Sequence, residues 1–221
     1  MSNESLKGQA YQIIRQKILD CEFKPGTLLN ESYLCQLLSI SRTPVRDALS
    51  RLEQERLLRI IQPKGILIET ITLSDFNSYF ETRLFLEPYI TKTYGDRLPE
   101  AEIKGFLQSC QNSAASADEF YAFAASLHNF IIKNSENPYF LQIYEQLSSH
   151  EQRINKLFPI SSEEIQSLSA QYELFLEYLL AQDWPLASGT LEQILITLKD
   201  CIFPGFLLLY TKDSHSEVRH E

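Results

Sequence analysis

The sequence predicts a mainly α-helical protein, in which a short amino-terminal domain of helices and one β-hairpin precedes a larger all-α helical bundle. Of its 221 residues, 44% are hydrophobic, enough for a substantial core, and only 7 are glycine. So little glycine disfavours turn-rich β architectures and glycine-cradled nucleotide sites. Residues 1–70 contain ten Lys or Arg and eight Asp or Glu, whereas residues 71–221 contain ten and twenty-one. A mildly basic segment joined to an acidic one is compatible with a local DNA-contacting face.

The first residues show no basic segment followed by an apolar stretch, and no later run of about 18 apolar residues occurs. We therefore expect a cytoplasmic protein that does not enter a membrane. The cysteines have no CxxC spacing, so we expect ordinary thiols at Cys21, Cys35, Cys110 and Cys201.

Three helices are predicted in the amino-terminal segment. Apolar residues at helical spacing indicate a first helix over residues 6–19, which ends before the turn at Pro25–Gly26. A second helix covers residues 31–38. A third begins within Ser41–Pro44, because the polar residues there suit an N-cap and proline is tolerated in a first helical turn.

Two β-branched stretches, residues 57–61 and 66–70, then form a predicted hairpin with Lys64 at its tip. Two short helices joined by a tight turn and followed by a hairpin are typical of a winged helix-turn-helix, whose later helix enters the major groove. Arg42 and Arg46 lie one turn apart on that helix, so they share a face that can meet DNA.

Four motifs follow one another in this segment: Phe23–Gly26, Leu29–Glu31, Ser41–Leu49 and Lys64–Gly65. Together they resemble the amino-terminal domain of the GntR transcription regulators. The resemblance implies that Arg42 and Arg46 contact DNA, against the alternative of a merely solvated helix face. Ser32 replaces an arginine found in some relatives, and a serine can bond a phosphate but cannot read guanine bidentately. The residues that we assign to DNA binding are Ser32, Ser41, Arg42, Thr43, Pro44, Arg46, Lys64 and Gly65.

From residue 71 the pattern is helical without strand alternation. Helices are predicted over residues 76–94, from 103 onward, and over 118–133, 139–157, 162–181 and 185–209. Proline lies at or near the helix starts that follow the breaks at 134–138 and 182–185. Six or so helices of this length predict an all-α bundle.

The landmarks of this segment are Tyr79–Glu87, Leu127–His128, Ser135–Pro138 and Leu179–Asp183. They resemble the FadR-type effector-binding domain, called the FCD domain. This resemblance implies a homodimer, a ligand cavity within the bundle, and a change in DNA binding when a small metabolite enters.

Many FCD domains hold a metal with an aspartate, a histidine four residues later and two further histidines. Here His128 matches the first histidine, but the other positions hold Ala124, Tyr172 and Ile194. One imidazole without a supporting carboxylate is a poor divalent-metal site. We therefore expect neither a metal nor another cofactor, and we expect His128 to line a cavity or to be hydrogen-bonded in the core.

Arg83 shares an apolar helical face with Phe76 and Phe80, where an unpaired charge is costly. Two interpretations remain open. Arg83 forms a structural salt bridge, with Glu87, Glu81 or Glu173, or it anchors the carboxylate of an effector. The predicted effector-binding residues are Arg83, His128 and Tyr172.

No nucleophile with an oriented base occurs, and glutamate pairs at helical spacing are typical of solvated faces, so an enzyme is not expected. The sequence predicts a ligand-responsive transcription regulator that binds double-stranded DNA at an inverted repeat as a homodimer. Residues 1–70 would bind DNA, 71–212 would bind the effector and dimerise, and 213–221 would be a polar tail. The alternative is a DNA-binding dimer whose helical domain is a scaffold without a working pocket.

Overall fold

In a computed structural model that describes residues 3–113 and 116–216, the chain forms two compact units. The first unit contains the residues up to 73 together with 149–157, and the second contains residues 74–148 and those from 158 onward. The predicted fold class, mainly α with a winged helix-turn-helix and a helical bundle, is confirmed.

The first unit contains a helix-turn-helix and a small sheet. Its elements are α1 (Asn3–Leu19), β1 (Leu28–Leu29), α2 (Glu31–Leu38), α3 (Arg42–Gln54), β2 (Leu58–Ile61) and β3 (Gly65–Ile68). The Asn30 side chain caps α2 by accepting a hydrogen bond from the Tyr33 amide at 2.6 Å. Ser39, with φ of 55°, ends α2 in the left-handed conformation and so begins the tight turn into α3.

The three strands are antiparallel in the order β1, β3, β2, with Leu28 opposite Leu67 and Leu58 opposite Ile68. The hairpin β2–β3 is the predicted wing, whereas β1 was not predicted. Gly65 has φ of 131°, and a Cβ there would lie 2.4 Å from the Leu29 carbonyl oxygen. The wing therefore requires glycine where it passes β1.

Helix α1 packs on α3 and supplies much of the core of this unit. The buried apolar residues include Ile14, Ile18, Leu34, Val45, Leu49, Leu52, Leu58 and Ile66. Arg15 donates from Nη2 to Ser149 Oγ at 2.7 Å, and Arg153 donates to the carbonyl oxygen of Glu69. These bonds connect residues 149–157 to the first unit, although the sequence analysis placed them with the helical bundle.

The second unit is the helical bundle. Its elements are α4 (Leu73–Tyr94), a 3-10 turn (Gly95–Arg97), α5 (Glu100–Ser113), α6 (Ala117–Asn134), α7 (Pro138–Leu157, up to Ser148 in this unit), α8 (Ser162–Leu180) and α9 (Trp184–Ser216). Helix α9 thus extends into the predicted polar tail, of which residues 217–221 lie outside the described part. Among the described helices, none has both the length and the apolarity needed to cross a bilayer.

Candidate DNA-binding surface and buried charge network

The start of α3 presents polar and basic side chains to solvent. Ser41, Arg42, Thr43 and Arg46 are exposed, whereas Val45 faces the core. Ser41 occupies the N-cap position, but its side chain makes no capping hydrogen bond. The first amide groups of a helix have no partners within the helix, so this end of α3 can donate hydrogen bonds to an anion such as a phosphate.

Arg46 is oriented by Glu31, the first residue of α2. Its Nε lies 2.9 and 3.0 Å from the two carboxylate oxygens of Glu31, while 66% of the arginine side chain stays exposed. Both bonds use Nε, so Glu31 does not occupy the two Nη groups of Arg46. Sequence reasoning missed Glu31 as a partner, although it ends the motif Leu29–Glu31 that carried the resemblance.

The remaining predicted DNA-binding residues lie in three different settings. Ser32 on α2 and Lys64 at the wing tip are exposed, and Gly65 is half-buried at the start of β3. Pro44 is buried next to Val45 in the first turn of α3. Its side chain packs against the protein interior, so any DNA contact at this position would come from the backbone.

In the second unit, Arg83 is buried and paired within its own helix. Its Nε lies 2.5 Å from Oε1 of Glu87, Nη2 lies 3.3 Å from Oε2, and Nη1 donates to the Tyr79 hydroxyl at 2.6 Å. Arg83 and Glu87 are each only 1% exposed. Of the salt-bridge partners left open by the sequence, Glu87 contacts Arg83, and Glu81 is exposed on α4.

His128 on α6 connects this pair to α8. Its Nδ1 lies 2.5 Å from Oε2 of Glu87, and its Nε2 lies 2.7 Å from the Tyr172 hydroxyl. A nitrogen so close to a carboxylate oxygen must carry a hydrogen, so we assign the proton to Nδ1. The three predicted effector residues, Arg83, His128 and Tyr172, thus belong to one buried network through Glu87, which sequence reasoning considered only as a salt-bridge partner.

The electrostatics of this network favour the ionised form of Glu87. Burial alone would raise the pKa of this carboxyl group, but the Arg83 guanidinium, followed by His128, outweighs burial and holds the pKa at about 2. Glu87 is therefore charged at neutral pH and compensates the charge of Arg83 inside the bundle.

The side chains near His128 do not fit a metal site. The three other positions implied by the resemblance hold Ala124, Tyr172 and Ile194, which are all buried. Both ring nitrogens of His128 already contact Glu87 or Tyr172. In the described part of the chain, no three His, Cys, Asp or Glu side chains come together as a possible metal cluster.

Comparison with known protein families agrees with both units. The profile of the bacterial regulatory proteins of the gntR family matches residues 6–68, and that of the FCD domain matches residues 78–197, more than half of the chain. The chain belongs to the GntR family of regulators that carry an FCD domain. The predicted relationship is thereby confirmed.

Individual relatives support the same conclusion. The chain is 25% identical over 210 residues to the HTH-type transcriptional repressor GlaR of Escherichia coli K12, which covers 89% of this chain and 94% of that protein. It is 24% identical over 195 residues to the gluconate operon transcriptional repressor of Bacillus licheniformis, and the match covers 81% of this chain and 78% of that protein. The structure of E. coli McbR/YncC has the same fold, with a TM-score of 0.75 and 21% sequence identity. The superposition covers 93% of this chain and 100% of that chain. This GntR-family protein is therefore a transcriptional regulator and not an enzyme.

Proposed function

We propose that this GntR-family regulator binds an inverted-repeat operator as a homodimer, and that a small carboxylate metabolite entering the FCD domain changes this binding. The observation that supports the DNA-binding mode best is the exposed face of α3, where Arg42 and Arg46 lie one turn apart. An arginine that meets a guanine with two Nη donors discriminates that base pair in the major groove. Glu31 contributes by restricting the orientation of Arg46 while it leaves both Nη groups available.

Other residues of the surface position the protein without reading bases. Ser41 and Thr43 at the start of α3, and Ser32 on α2, are suited to phosphate oxygens. Lys64, exposed at the wing tip next to Gly65, adds a positive charge that suits a phosphate. Lys64→Ala should therefore weaken binding evenly across sequences, because phosphate contacts carry no sequence information.

Selection from a pool of random 30-base-pair duplexes tests the operator proposal. Two recognition helices related by a dimer two-fold should enrich an inverted repeat whose half-sites are about one helical turn apart. Enrichment of a single, non-repeated half-site would contradict binding as a dimer. Failure to enrich any sequence would contradict sequence-specific reading by α3.

The effector proposal rests on the partners of Arg83. Glu87 holds Nε and Nη2 through a charged interaction, and Nη1 donates to the neutral hydroxyl of Tyr79. A ligand carboxylate can replace the Tyr79 hydroxyl at Nη1 and gain a charge-assisted hydrogen bond while Glu87 keeps the guanidinium in place. His128 and Tyr172 are the next polar groups along the same network.

A second candidate function has its own support. Arg83 is 1% exposed and already has Glu87 and Tyr79 as partners, an arrangement that a purely structural network also explains. In that case the FCD domain is a dimerisation scaffold without a sensor pocket. The two candidates differ in whether a small molecule stabilises this domain.

A thermal-shift screen of small carboxylic acids and acyl thioesters separates the two. A ligand that binds only the folded protein raises its Tm, by an amount that grows with ligand concentration. Arg83→Gln should remove this response in a variant that still folds and binds DNA. Arg97→Gln is the matched control, because Arg97 is 45% exposed, and it should respond like the wild type. A response that survives in Arg83→Gln would contradict anchoring by Arg83.

A further inference from the structure

A groove of about 330 Å³ lies on the surface of the helical bundle, between α8 and α9. Helix α8 forms one wall and the first turns of α9 form the other. The lining residues that matter here are Gln171, Leu174, Tyr178, Leu186, Gly189 and Gln193. None of them belongs to the proposed DNA-binding surface or to the buried network. We call this feature the α8–α9 groove.

The walls of the α8–α9 groove are apolar and open to solvent. Leu174 is 41% exposed and Leu186 is 50% exposed. Gly189 lies on the same face of α9, three residues after Leu186. A Cβ at Gly189 would meet nothing within 4 Å, so the groove stays open at that point. A partner that covers these leucines would remove apolar surface from water, which favours association.

The length of the groove matches two turns of a helix. From Leu186 to Gln193 the wall of α9 extends about 10 Å, at 1.5 Å per residue. A helix that docks in a groove anchors side chains at positions i, i+3 or i+4, and i+7, which span the same distance. The Thr197 hydroxyl oxygen lies 3.4 Å from an amide atom of both Gln171 and Gln193, so polar groups close one end of the groove.

The charge around the groove has a single sign. Residues 157–198 contain six Asp or Glu and no Lys or Arg. On α8, the exposed Glu177 is three residues after Leu174, and on α9 the exposed Glu192 is three residues after Gly189. Residues three apart are neighbours on a helix surface, so each wall carries a carboxylate next to its lining residues. An apolar groove with acidic edges complements an apolar stripe with basic flanks.

The same charge argues against two other occupants. A second copy of this chain, docked groove to groove across a two-fold axis, would bring the carboxylates of both copies together, which is unfavourable. A carboxylate metabolite would meet no cation there, since the described lining residues include no Lys or Arg.

We propose that the α8–α9 groove docks an amphipathic helix of another protein, in which aliphatic side chains are flanked by Lys or Arg. An aliphatic side chain of this helix packs between Leu174 and Leu186, in the open space at Gly189. Its basic side chains pair with Glu177 and Glu192. The inference goes beyond the proposed function, because it concerns neither the operator nor the effector and assigns the regulator a protein partner.

Selection from a displayed library of helix-forming peptides of about 18 residues tests the chemistry of the occupant. The full wild-type chain is the target, and peptides that also bind Gly189→Leu are discarded, because leucine fills the groove. Retained peptides should carry aliphatic residues at i, i+3 or i+4, and i+7, flanked by Lys or Arg. Retained peptides without net positive charge, or no retained peptide at all, would overturn the proposal.

Two controls make the selection specific for the groove. Gly105→Leu adds the same side chain at an exposed glycine of α5 that also has open space around it, and retained peptides should bind this variant like the wild type. Circular dichroism establishes that Gly189→Leu is folded, and Leu186→Asp replaces it if it is not. Weaker dimerisation of Gly189→Leu in sedimentation equilibrium would assign the groove to a second copy and overturn the proposal.

Fluorescence anisotropy of a labelled retained peptide with the full chain then measures the apolar contact. Leu174→Ser was not used in the selection, and it should weaken binding at least about 10-fold. Leu207→Ser is the matched control, because Leu207 is 42% exposed on α9 but does not line the groove, and it should bind like the wild type. Equal affinity in Leu174→Ser and Leu207→Ser would overturn the proposal.

The charged contact is measured with the same peptide. Glu177→Gln/Glu192→Gln should weaken binding about 10-fold and make it less dependent on salt, because two ion pairs are lost. Glu100→Gln/Glu163→Gln removes the same net charge from exposed positions outside the groove and should change the affinity less than about two-fold. Equal weakening in both double variants would show attraction to the net charge alone and overturn the assignment of Glu177 and Glu192.

Discussion

Replacing Glu87 with glutamine should destabilise the FCD domain in a way that depends on pH. Glu87→Gln keeps the shape of the side chain but removes the charge that compensates Arg83 in the bundle core. An ordinary pKa of 4.5 that falls to about 2 on folding corresponds to about 3 kcal/mol of stability at neutral pH. We therefore expect the variant to lose about 3 kcal/mol, within the range for breaking a buried ion pair.

The sign of the pH dependence follows from the direction of this pKa change. Because folding lowers the pKa of Glu87, its contribution is complete well above pH 4.5 and is lost as the pH falls towards 2. At pH 3.5 the unfolded carboxyl group is largely protonated while the folded one is still charged. The difference in unfolding free energy between wild type and Glu87→Gln should therefore shrink by about 1 kcal/mol between pH 7 and pH 3.5.

Urea unfolding followed by tryptophan fluorescence reports on the second structural unit, the helical bundle that contains Glu87. Trp184 is the single tryptophan and begins α9 against Gly95 of the same unit. Glu100→Gln is the control, since Glu100 is a surface residue paired with Lys104, and it should leave stability nearly unchanged. The double variant Arg83→Met/Glu87→Met should lose less than Glu87→Gln, because no charge is left unpaired. A Glu87→Gln loss below about 1 kcal/mol, or one independent of pH, would refute the reasoning.

Three further outcomes are expected. Tyr172→Phe removes the hydroxyl bonded to His128 and should cost about 1–3 kcal/mol of unfolding free energy in urea; an unchanged value would contradict the hydrogen bond. Gly95→Ala should lower the free energy of unfolding by about 1–3 kcal/mol, because the added Cβ would lie 2.4 Å from a Trp184 ring atom. Gly189→Ala is the control, because the space around position 189 is open, and it should leave the free energy of unfolding unchanged. Elemental analysis after dialysis without chelator should find no stoichiometric metal, and one zinc, nickel or manganese ion per chain, lost in His128→Ala, would contradict this.

Local patterns were sufficient to predict most of the secondary structure. The apolar periodicity of α2 and α3 and the proline in the first turn of α3 depend on near neighbours, so a sequence window contains the needed information. Strand β1 has two residues, too few to show alternation, and it exists only because β3 lies beside it. The burial of Pro44 also depends on tertiary packing and was not evident from its exposed neighbours.

The sequence predicted which residues belong to the candidate sites, but it did not predict which of these residues contact one another. Helical spacing placed Arg83 on an apolar face, and the structure buries it there. Its partner could not be chosen, because Glu87, Glu81 and Glu173 were all plausible until packing placed one of them on the guanidinium. The contact of His128 with Glu87 joins residues 41 positions apart, a separation beyond the reach of sequence periodicity.

The central claim is that α3 reads the operator through Arg42 and Arg46, and its most direct test is the affinity of arginine variants for the selected inverted repeat at fixed salt. Arg42→Ala and Arg46→Ala should each weaken specific binding about 5- to 150-fold, which is 1–3 kcal/mol. Arg51→Ala removes the same charge from the same helix, but Arg51 stacks on Tyr11 at 3.8 Å, so this variant should bind nearly as the wild type does. Wild-type affinity in both Arg42→Ala and Arg46→Ala would contradict the claim.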